Sequence, residues 1–323
     1  MIKKQIKRLK SLTFFQIIID SVKDFASSDS MTFAASTAFY TIFSLPALLI
    51  IVLNIGATFY SKNDVREELL SQIGELIGQG SVETLDEIMR NVTLEDQVFW
   101  SQMMGIAILV FSATTVFVSL QNSINHIWHI KPKPEKGVLK FAVNRFLSFS
   151  MVASIGFLLI VSLVADAVLV IVLNYFSNLF DERVLVFAGV ANVILAQSLM
   201  VLIFGLMYKI LPDARVRWKD VWLGAFVTML LFALGKYLIG LYLGNADVGN
   251  YYGTAGSLVV VLIWVYYSVV IFLFGAQITY YIAENVGGNV IPSSQAVKVE
   301  LIELDENGDF TNYVKKNQKN SKK

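Results

Sequence analysis

The fold of this chain is decided by residues 254–283, which read TAGSLVVVLIWVYYSVVIFLFGAQITYYIA. This stretch contains no charged side chain, and its polar groups are few and scattered. A helix needs about 20 consecutive, predominantly apolar residues to cross the hydrocarbon core of a bilayer. The stretch is therefore predicted to be a transmembrane helix.

Five further apolar stretches of sufficient length precede it, at about 33–60, 99–119, 146–174, 185–207 and 219–243. Hydrophobic residues make up 55% of the 323-residue chain and charged residues only 16%, whereas soluble domains carry about 25% charged residues. The excess apolar surface has to face lipid. We predict an all-α polytopic membrane protein, a bundle of about six transmembrane helices within residues 31–284.

The distribution of basic residues predicts the orientation of this bundle. Of the 26 lysines and arginines, 21 fall in the two termini and in the loops after spans two and four, while four fall on the opposite side. Cytoplasmic loops carry such an excess, so both termini are expected in the cytoplasm. Trp128, Trp218 and Trp222 fall at the inner ends of spans, where indole rings favour the membrane interface.

Three segments outside the spans have patterns of their own. Residues 1–30 combine apolar residues at helical spacing with lysines, which suits a helix lying on the membrane surface or one packed on the end of the bundle. Residues 61–98 carry two amphipathic stripes joined at Gly78–Gly80, which predict two short extracytoplasmic helices. Residues 285–323 are charged and are predicted to be a disordered cytoplasmic tail.

Composition excludes several kinds of chemistry. The chain has no cysteine and only two histidines, and its net charge is +1, which argues against nucleic acid as an electrostatic partner. His126 and His129 share a helix face, but a metal would need a third ligand. No nucleophile–base pair and no phosphate-binding loop is apparent. We expect no catalytic, cofactor or metal site, and a protein that is not an enzyme.

The candidates for a transport path are polar residues inside the spans. Asp166 and Lys236 are ionisable and lie at similar predicted depths, so they could pair or line a passage, because charges are costly in the membrane and are often functional. A structural ion pair, or a lysine that extends outward, is the alternative. The remaining candidates are uncharged: Asn192, Gln197, Gln277 and Tyr40. Pro46 is expected to kink the first span.

Four segments resemble the YihY/BrkB family of bacterial integral membrane proteins. They are MTFAASTAFYTIFSLPALLIIVL at 31–53, LQNSINHIWHIKPKPEKG at 120–137, LPDARVRWKDVWLGAFVTMLLFALGKYLIGLYLG at 211–244 and YYGTAGSLVVVLIWVYYSVVIFLFGAQITYYIAE at 251–284. The resemblance covers most of residues 1–284 and leaves the tail out. One departure is Gly275-Ala276-Gln277, where the family usually has Gly-Ala-Glu.

The resemblance implies a six-helix protein of the bacterial cytoplasmic membrane, in a family without an agreed biochemical activity. A ribonuclease label once attached to the family is regarded as a misassignment, and the two histidines of this chain offer no site for it. Since Gln277 replaces the glutamate, a proton- or cation-linked role of that carboxylate does not carry over.

Two functions remain open from the sequence. The first is a transporter, permease or lipid flippase-like protein with an unknown small-molecule or lipid-like substrate. The second is a non-catalytic scaffold or accessory subunit that supports the envelope. The expected partners are membrane lipids and no nucleic acid, and self-association into a homo-oligomer is left open.

Overall fold

The protein is mostly helical in the part that the structure, a computed structural model, describes: residues 2–58, 60–77, 99–133, 182–245 and 256–299, together with residues 82 and 86. The described helices are α1 (Ile2–Ser27), α2 (Ser30–Gly56), α3 (Lys62–Ile77), α4 (Phe99–Ile127), α5 (Glu182–Ile210), α6 (Trp218–Asn245) and α7 (Gly256–Asn285). The described strands are β1 (Ile130–Pro132), β2 (Ala214–Arg215), β3 (Ile291–Pro292) and β4 (Ala296–Lys298).

Three of these helices are long and apolar enough to cross a membrane. The qualifying stretches are Val193–Ile210 in α5, Trp218–Ile239 in α6 and Leu258–Asn285 in α7, and α2 is a fourth if its two halves count as one span. The predicted second span falls on α4, while the predicted third span, 146–174, lies outside the described residues. The total of six spans stays a prediction.

Helix α2 is bent near its middle. Its halves, Ser30–Leu45 and Leu48–Asn54, make an angle of 50°. The sequence has Pro46 at the bend, and a proline inside a helix removes one backbone hydrogen bond and clashes with the preceding turn.

Helix α7 is the centre of the bundle and packs against α1, α2, α4 and α6. On α1, Ile17 packs with Ile278 and Ile282, and the ring of Phe25 lies edge-on to that of Phe274 at 5.3 Å. The two roles open to the N-terminal segment are compatible with each other, and the structure shows the packed one: α1 lies against the bundle.

Helix α6 has an outward face of exposed apolar side chains. We use this name for the residues Trp222, Phe226, Leu230, Leu234, Tyr237 and Leu238, all at least 38% exposed. They recur at helical spacing, and an exposed row of six large apolar side chains is rare on soluble monomers. This face suits contact with lipid.

The predicted extracytoplasmic insertion contains α3. The helix begins close to the end of α2, where a side chain at Gly56 would collide with Val65. Residues 82 and 86 are helical, and Arg66 pairs with Asp86 at 3.1 Å. The rest of the second predicted helix of the insertion lies outside the described residues.

The segment after α7 is ordered up to residue 299, so the prediction of a disordered tail from residue 285 onwards is wrong for residues 286–299. Strand β4 pairs antiparallel with β1, which follows α4. Strand β3 pairs antiparallel with β2, which lies between α5 and α6. Charge alone suggested disorder, but backbone hydrogen bonds to two separate loops hold this segment in place.

Candidate functional site

The polar groups of the described protein concentrate at one end of the bundle. We call this the strand end: α4, α5 and α7 finish there, α6 begins there, and β1–β4 lie across it. The C-terminal segment 286–299 links these elements, and Gly288 donates its N–H to Asp220 at the start of α6. The strand end is therefore built from parts of the chain that are far apart in sequence.

Trp128 joins α4 to α7 in the interior of the strand end. Its side chain is fully buried, and its indole Nε1–H donates to the carbonyl oxygen of Ala276 at 3.0 Å. Trp128 therefore lies at the end of α4, as predicted, but its indole packs inside the protein and does not face a membrane surface. By contrast, Trp218 and Trp222 are 45% and 38% exposed and stack on each other.

A second buried contact joins α5, α6 and α7. The Tyr208 hydroxyl donates to the carbonyl oxygen of Phe272 at 2.8 Å and lies 2.9 Å from Thr228 Oγ1. A side chain at Gly275 would collide with both hydroxyl groups. The glycine thus permits the close approach of the three helices, as small residues do in membrane bundles.

The turn between α5 and α6 is held to α4 by an Asn–Asp pair. Asn125 Nδ2 donates to Asp213 Oδ2 at 2.9 Å, and Asp213 N–H donates to Asn125 Oδ1 at 2.8 Å. Asn125 is 3% exposed. These two bonds satisfy a buried amide, which otherwise would cost free energy.

Helix α1 is held to α7 by a carboxylate. Gln277 Nε2 and the Tyr281 hydroxyl donate to the same oxygen of Asp24, at 3.1 and 3.0 Å. Gln277 is 2% exposed. The glutamine at the position of the family's usual glutamate therefore acts as a hydrogen-bond donor towards a carboxylate, a role that an ionised glutamate could not fill.

A cleft of about 290 Å³ opens beside the end of α4. Asn122, Asn125, His126 and His129 line it from one side, at the spacing of one helix face, and Lys131 lines it from β1. The ring of His126 packs on Phe33 with 4.6 Å between centroids. His129 has a left-handed backbone, φ 55°, at the turn that ends the helix.

Burial lowers the pKa of His126 below its usual value, and His129 lowers it further, while Asp29 opposes them. His126 lies beyond the predicted second span. The lowered pKa favours the neutral imidazole, which has one N–H donor and one acceptor nitrogen. Among the described residues, no group of three or more histidine, aspartate or glutamate side chains could hold a metal ion.

Of the residues predicted to line a transport path, four have side chains that the structure describes, and each of the four lies on a different helix. Tyr40 is 44% exposed on α2, and Lys236 is exposed on α6. Gln277 bonds Asp24 at the strand end. Gln197 lies on α5, and its Oε1 is buried without a hydrogen-bond partner among the described residues.

Two other candidates cannot be placed in this way. Asn192 lies on α5, but its side chain is outside the described part of the structure, as is the whole of Asp166. The suggested pairing of Asp166 with Lys236 therefore stays a prediction.

Sequence reasoning missed the contacts of Asp24, Tyr208 and Trp128. Asp24 lies in a segment interpreted as interfacial, and nothing in its neighbours indicates α7 as a partner. The spacing of Ile17, Ser21 and Phe25 was the available signal: all three are buried at intervals of four residues, so one face of α1 is covered.

Comparison with known proteins agrees with this description. The family described as virulence factor BrkB matches residues 21–298. The match extends past residue 284, where the resemblance seen in the sequence ended, and so includes all four strands of the strand end.

Among curated proteins, the chain is similar to UPF0761 membrane proteins of Xanthomonas campestris pv. campestris, Xanthomonas oryzae pv. oryzae and Xanthomonas axonopodis pv. citri. Each is 27% identical over 246 residues, which cover 76% of this chain and 55–56% of the relative. The chain thus aligns with about half the length of these relatives. No solved structure matches it. On the extent of the family match, this chain belongs to the virulence factor BrkB family of membrane proteins.

Proposed function

We propose that this protein is a transporter of permease or flippase type, with a small-molecule or lipid-like substrate, and that it is not an enzyme. The observation that carries the proposal is the 50° bend in α2. The bent helix packs against both α4 and α7, and Ser44 and Leu49, on either side of the break, are buried.

A break in a membrane helix needs a reason, because it leaves backbone groups without their usual partners in a medium that has no water. Many transporters place their substrate site at broken helices, which also serve as hinges. Thr41 and Asn54 lie on either side of the bend. Each side chain donates a hydrogen bond of 2.8 Å to a carbonyl one turn earlier in the same helix, and such bonds favour bending.

Gln197 gives the proposal a second support. Its Oε1 is buried on an apolar helix and has no hydrogen-bond partner among the described residues. An unsatisfied polar atom in such a place costs free energy, and a substrate with a hydrogen-bond donor would recover it. Lys236 contributes less, since it is exposed beside the outward face of α6.

We place the strand end in the cytoplasm of a bacterial cell. It carries basic residues from both loops that the charge pattern assigns to the inside, including Lys131, Lys133 and Arg217. With this orientation the bend in α2 lies towards the outer half of the membrane, and α3 lies outside.

The test is flux through liposomes that contain the purified protein, with protons, common ions and labelled lipids as probes. The informative variant is Pro46→Ala, which restores a backbone donor and straightens α2. We expect it to fold and to lose flux by roughly tenfold, because hinge changes commonly alter turnover. The matched control is Pro292→Ala, the same substitution in β3 at the strand end, which should keep the flux of the parent.

One result would count against transport, and another would count against the role of the bend. If the parent moves none of the probes, the scaffold or accessory alternative takes the lead. If Pro46→Ala and Pro292→Ala both keep full flux, the bend has no part in transport. Gln197→Leu then shows separately whether the buried amide contacts a substrate, since its loss should raise the substrate concentration needed for half-maximal flux.

A further inference from the structure

Three basic side chains line the cleft at the strand end. The side chains of Lys131, His126 and His129 line it, and none of the three makes a hydrogen bond or ion pair within the described residues. The two histidine rings pack on aromatic neighbours, His126 on Phe33 and His129 on Tyr280. Asn122 brings an amide to the same cleft. The lining of the cleft therefore includes four side chains that can donate hydrogen bonds.

The nearby acidic groups do not satisfy these donors. Asp213 accepts from Asn125 and Gln121, and Glu284 accepts from Lys298 at 2.6 Å and from the N–H of Val290. Asp29 is close enough to raise the pKa of His126, but it does not line the cleft. The cleft thus has an excess of donors over acceptors.

We propose that this cleft binds a phosphate group, carried by an anionic phospholipid headgroup or by a free phosphate anion. A phosphate offers several acceptor oxygens, and lysine, imidazole N–H and amide N–H are all suitable donors. His126 needs no proton beyond its neutral form to donate one hydrogen bond. The proposal goes beyond transport and holds whether or not the bundle moves a substrate.

The size and position of the cleft suit a headgroup. Its volume of about 290 Å³ is at the lower end for ligand sites, so it takes a headgroup and not a whole lipid. Phe33, Ile130 and Val299 provide an apolar part of the lining. On the predicted orientation the cleft faces the cytoplasmic leaflet, which is rich in anionic lipids.

The test compares two lysines of the same short segment. Lys131 lines the cleft, whereas Lys133 donates to the carbonyl oxygen of Ser294 at 3.3 Å and does not. Lys131→Gln and Lys133→Gln remove the same charge from nearly the same place. Full-length protein in a neutral detergent is titrated calorimetrically with dihexanoyl phosphatidylglycerol, dihexanoyl phosphatidylcholine and inorganic phosphate.

We expect the parent to prefer phosphatidylglycerol to phosphatidylcholine. Lys131→Gln should weaken that binding about fivefold, and Lys133→Gln by less than about twofold, as expected for one partly exposed charge–charge contact. If inorganic phosphate binds with the same dependence on Lys131, the free anion is the source. If only the lipid binds, the headgroup is the source.

Two outcomes would overturn the site. Either neither probe binds the parent, or both lysine variants weaken binding equally, which would mean general surface charge only. Asp29→Asn serves as an independent check that does not remove a donor. Because Asp29 opposes an anion, this variant should strengthen binding by about twofold, and unchanged or weaker binding would contradict the proposal.

Discussion

The strand end and the outward face of α6 differ in burial, although the helices that form them are similarly apolar. The two helices compared, α7 at the strand end and α6 at the outward face, are apolar almost throughout, and both are long enough to span a membrane. Towards the strand end most of α7 is buried from Ile271 to Ala283, and its carbonyls at Phe272 and Ala276 accept bonds from Tyr208 and Trp128. The outward face of α6 makes no such contact and leaves large side chains exposed.

The difference shows that hydrophobicity does not indicate where a membrane helix sits in a bundle. In water, apolar residues go inside. In lipid, they are equally acceptable outside, and association depends on packing and on buried polar contacts. The informative residues of α7 are accordingly its small and polar ones, Gly275, Gln277 and Thr279, all of which are buried.

The largest expected effect comes from closing the space at Gly275. A methyl group there would collide with the hydroxyls of Thr228 and Tyr208, so Gly275→Ala should lower the free energy of unfolding by about 3 kcal/mol, as overpacking does. The matched control is Gly205→Ala. Its methyl would lie 3.3 Å from the ring of Trp222, which belongs to the outward face of α6 and is 38% exposed, so a small shift of the ring relieves the contact.

Thermal unfolding of both glycine variants in detergent is the measurement. If Gly205→Ala is as unstable as Gly275→Ala, the strand end is not packed more tightly than the region beside the outward face of α6. If Gly275→Ala is harmless, the three-helix contact is looser than its distances indicate.

A smaller effect is expected from the carboxylate that holds α1. Asp24→Asn removes the acceptor charge that Gln277 and Tyr281 share, so we expect a loss of about 1–2 kcal/mol in stability. Asp20→Asn is the control, because Asp20 is exposed one turn earlier on the same helix. Two measurements report on the docking of α1. Limited proteolysis shows how readily residues 1–27 are cleaved off, and unfolding of the intact protein gives the loss of stability.

Equal stability of the Asp24 and Asp20 variants would show that apolar contacts alone hold α1. Those contacts are made by Ile17 with Ile278 and Ile282, and by Phe25 with Phe274.

The smallest effect is a pH dependence at the strand end. Burial lowers the pKa of His126 below 6.5 in the folded protein, so the folded state binds fewer protons than the unfolded state just below that pH. Stability from this group is therefore complete above pH 6.5 and falls as the pH drops below it. His126→Phe, which keeps a ring against Phe33, should flatten unfolding curves measured between pH 7.5 and 5.5.

In the same experiment, Asp29 and His129 are the other titratable groups that affect His126. His129→Asn is the control, since asparagine also tolerates the left-handed backbone at that position. A pH dependence that survives in His126→Phe but disappears in His129→Asn would assign the effect to His129 and contradict the prediction.

Much of the site lay beyond prediction for a physical reason. His126 and His129 were placed on one helix face by their spacing, and they do line one cleft. Lys131 was counted only as one of many basic residues. Its place beside the histidines depends on β1 pairing with β4, residues 166 positions apart at Lys131 and Val297, and no local pattern encodes such a pairing.

The sequence by itself determined that this is a helical membrane protein, because a bilayer demands long apolar stretches with internally satisfied backbones and these are visible residue by residue. It also indicated the family. The tertiary structure decided which helix is central, which side chains meet at the strand end, and that residues 286–299 are ordered. Those features arise from contacts between distant segments, whose free energy depends on geometry and not on the composition of either segment.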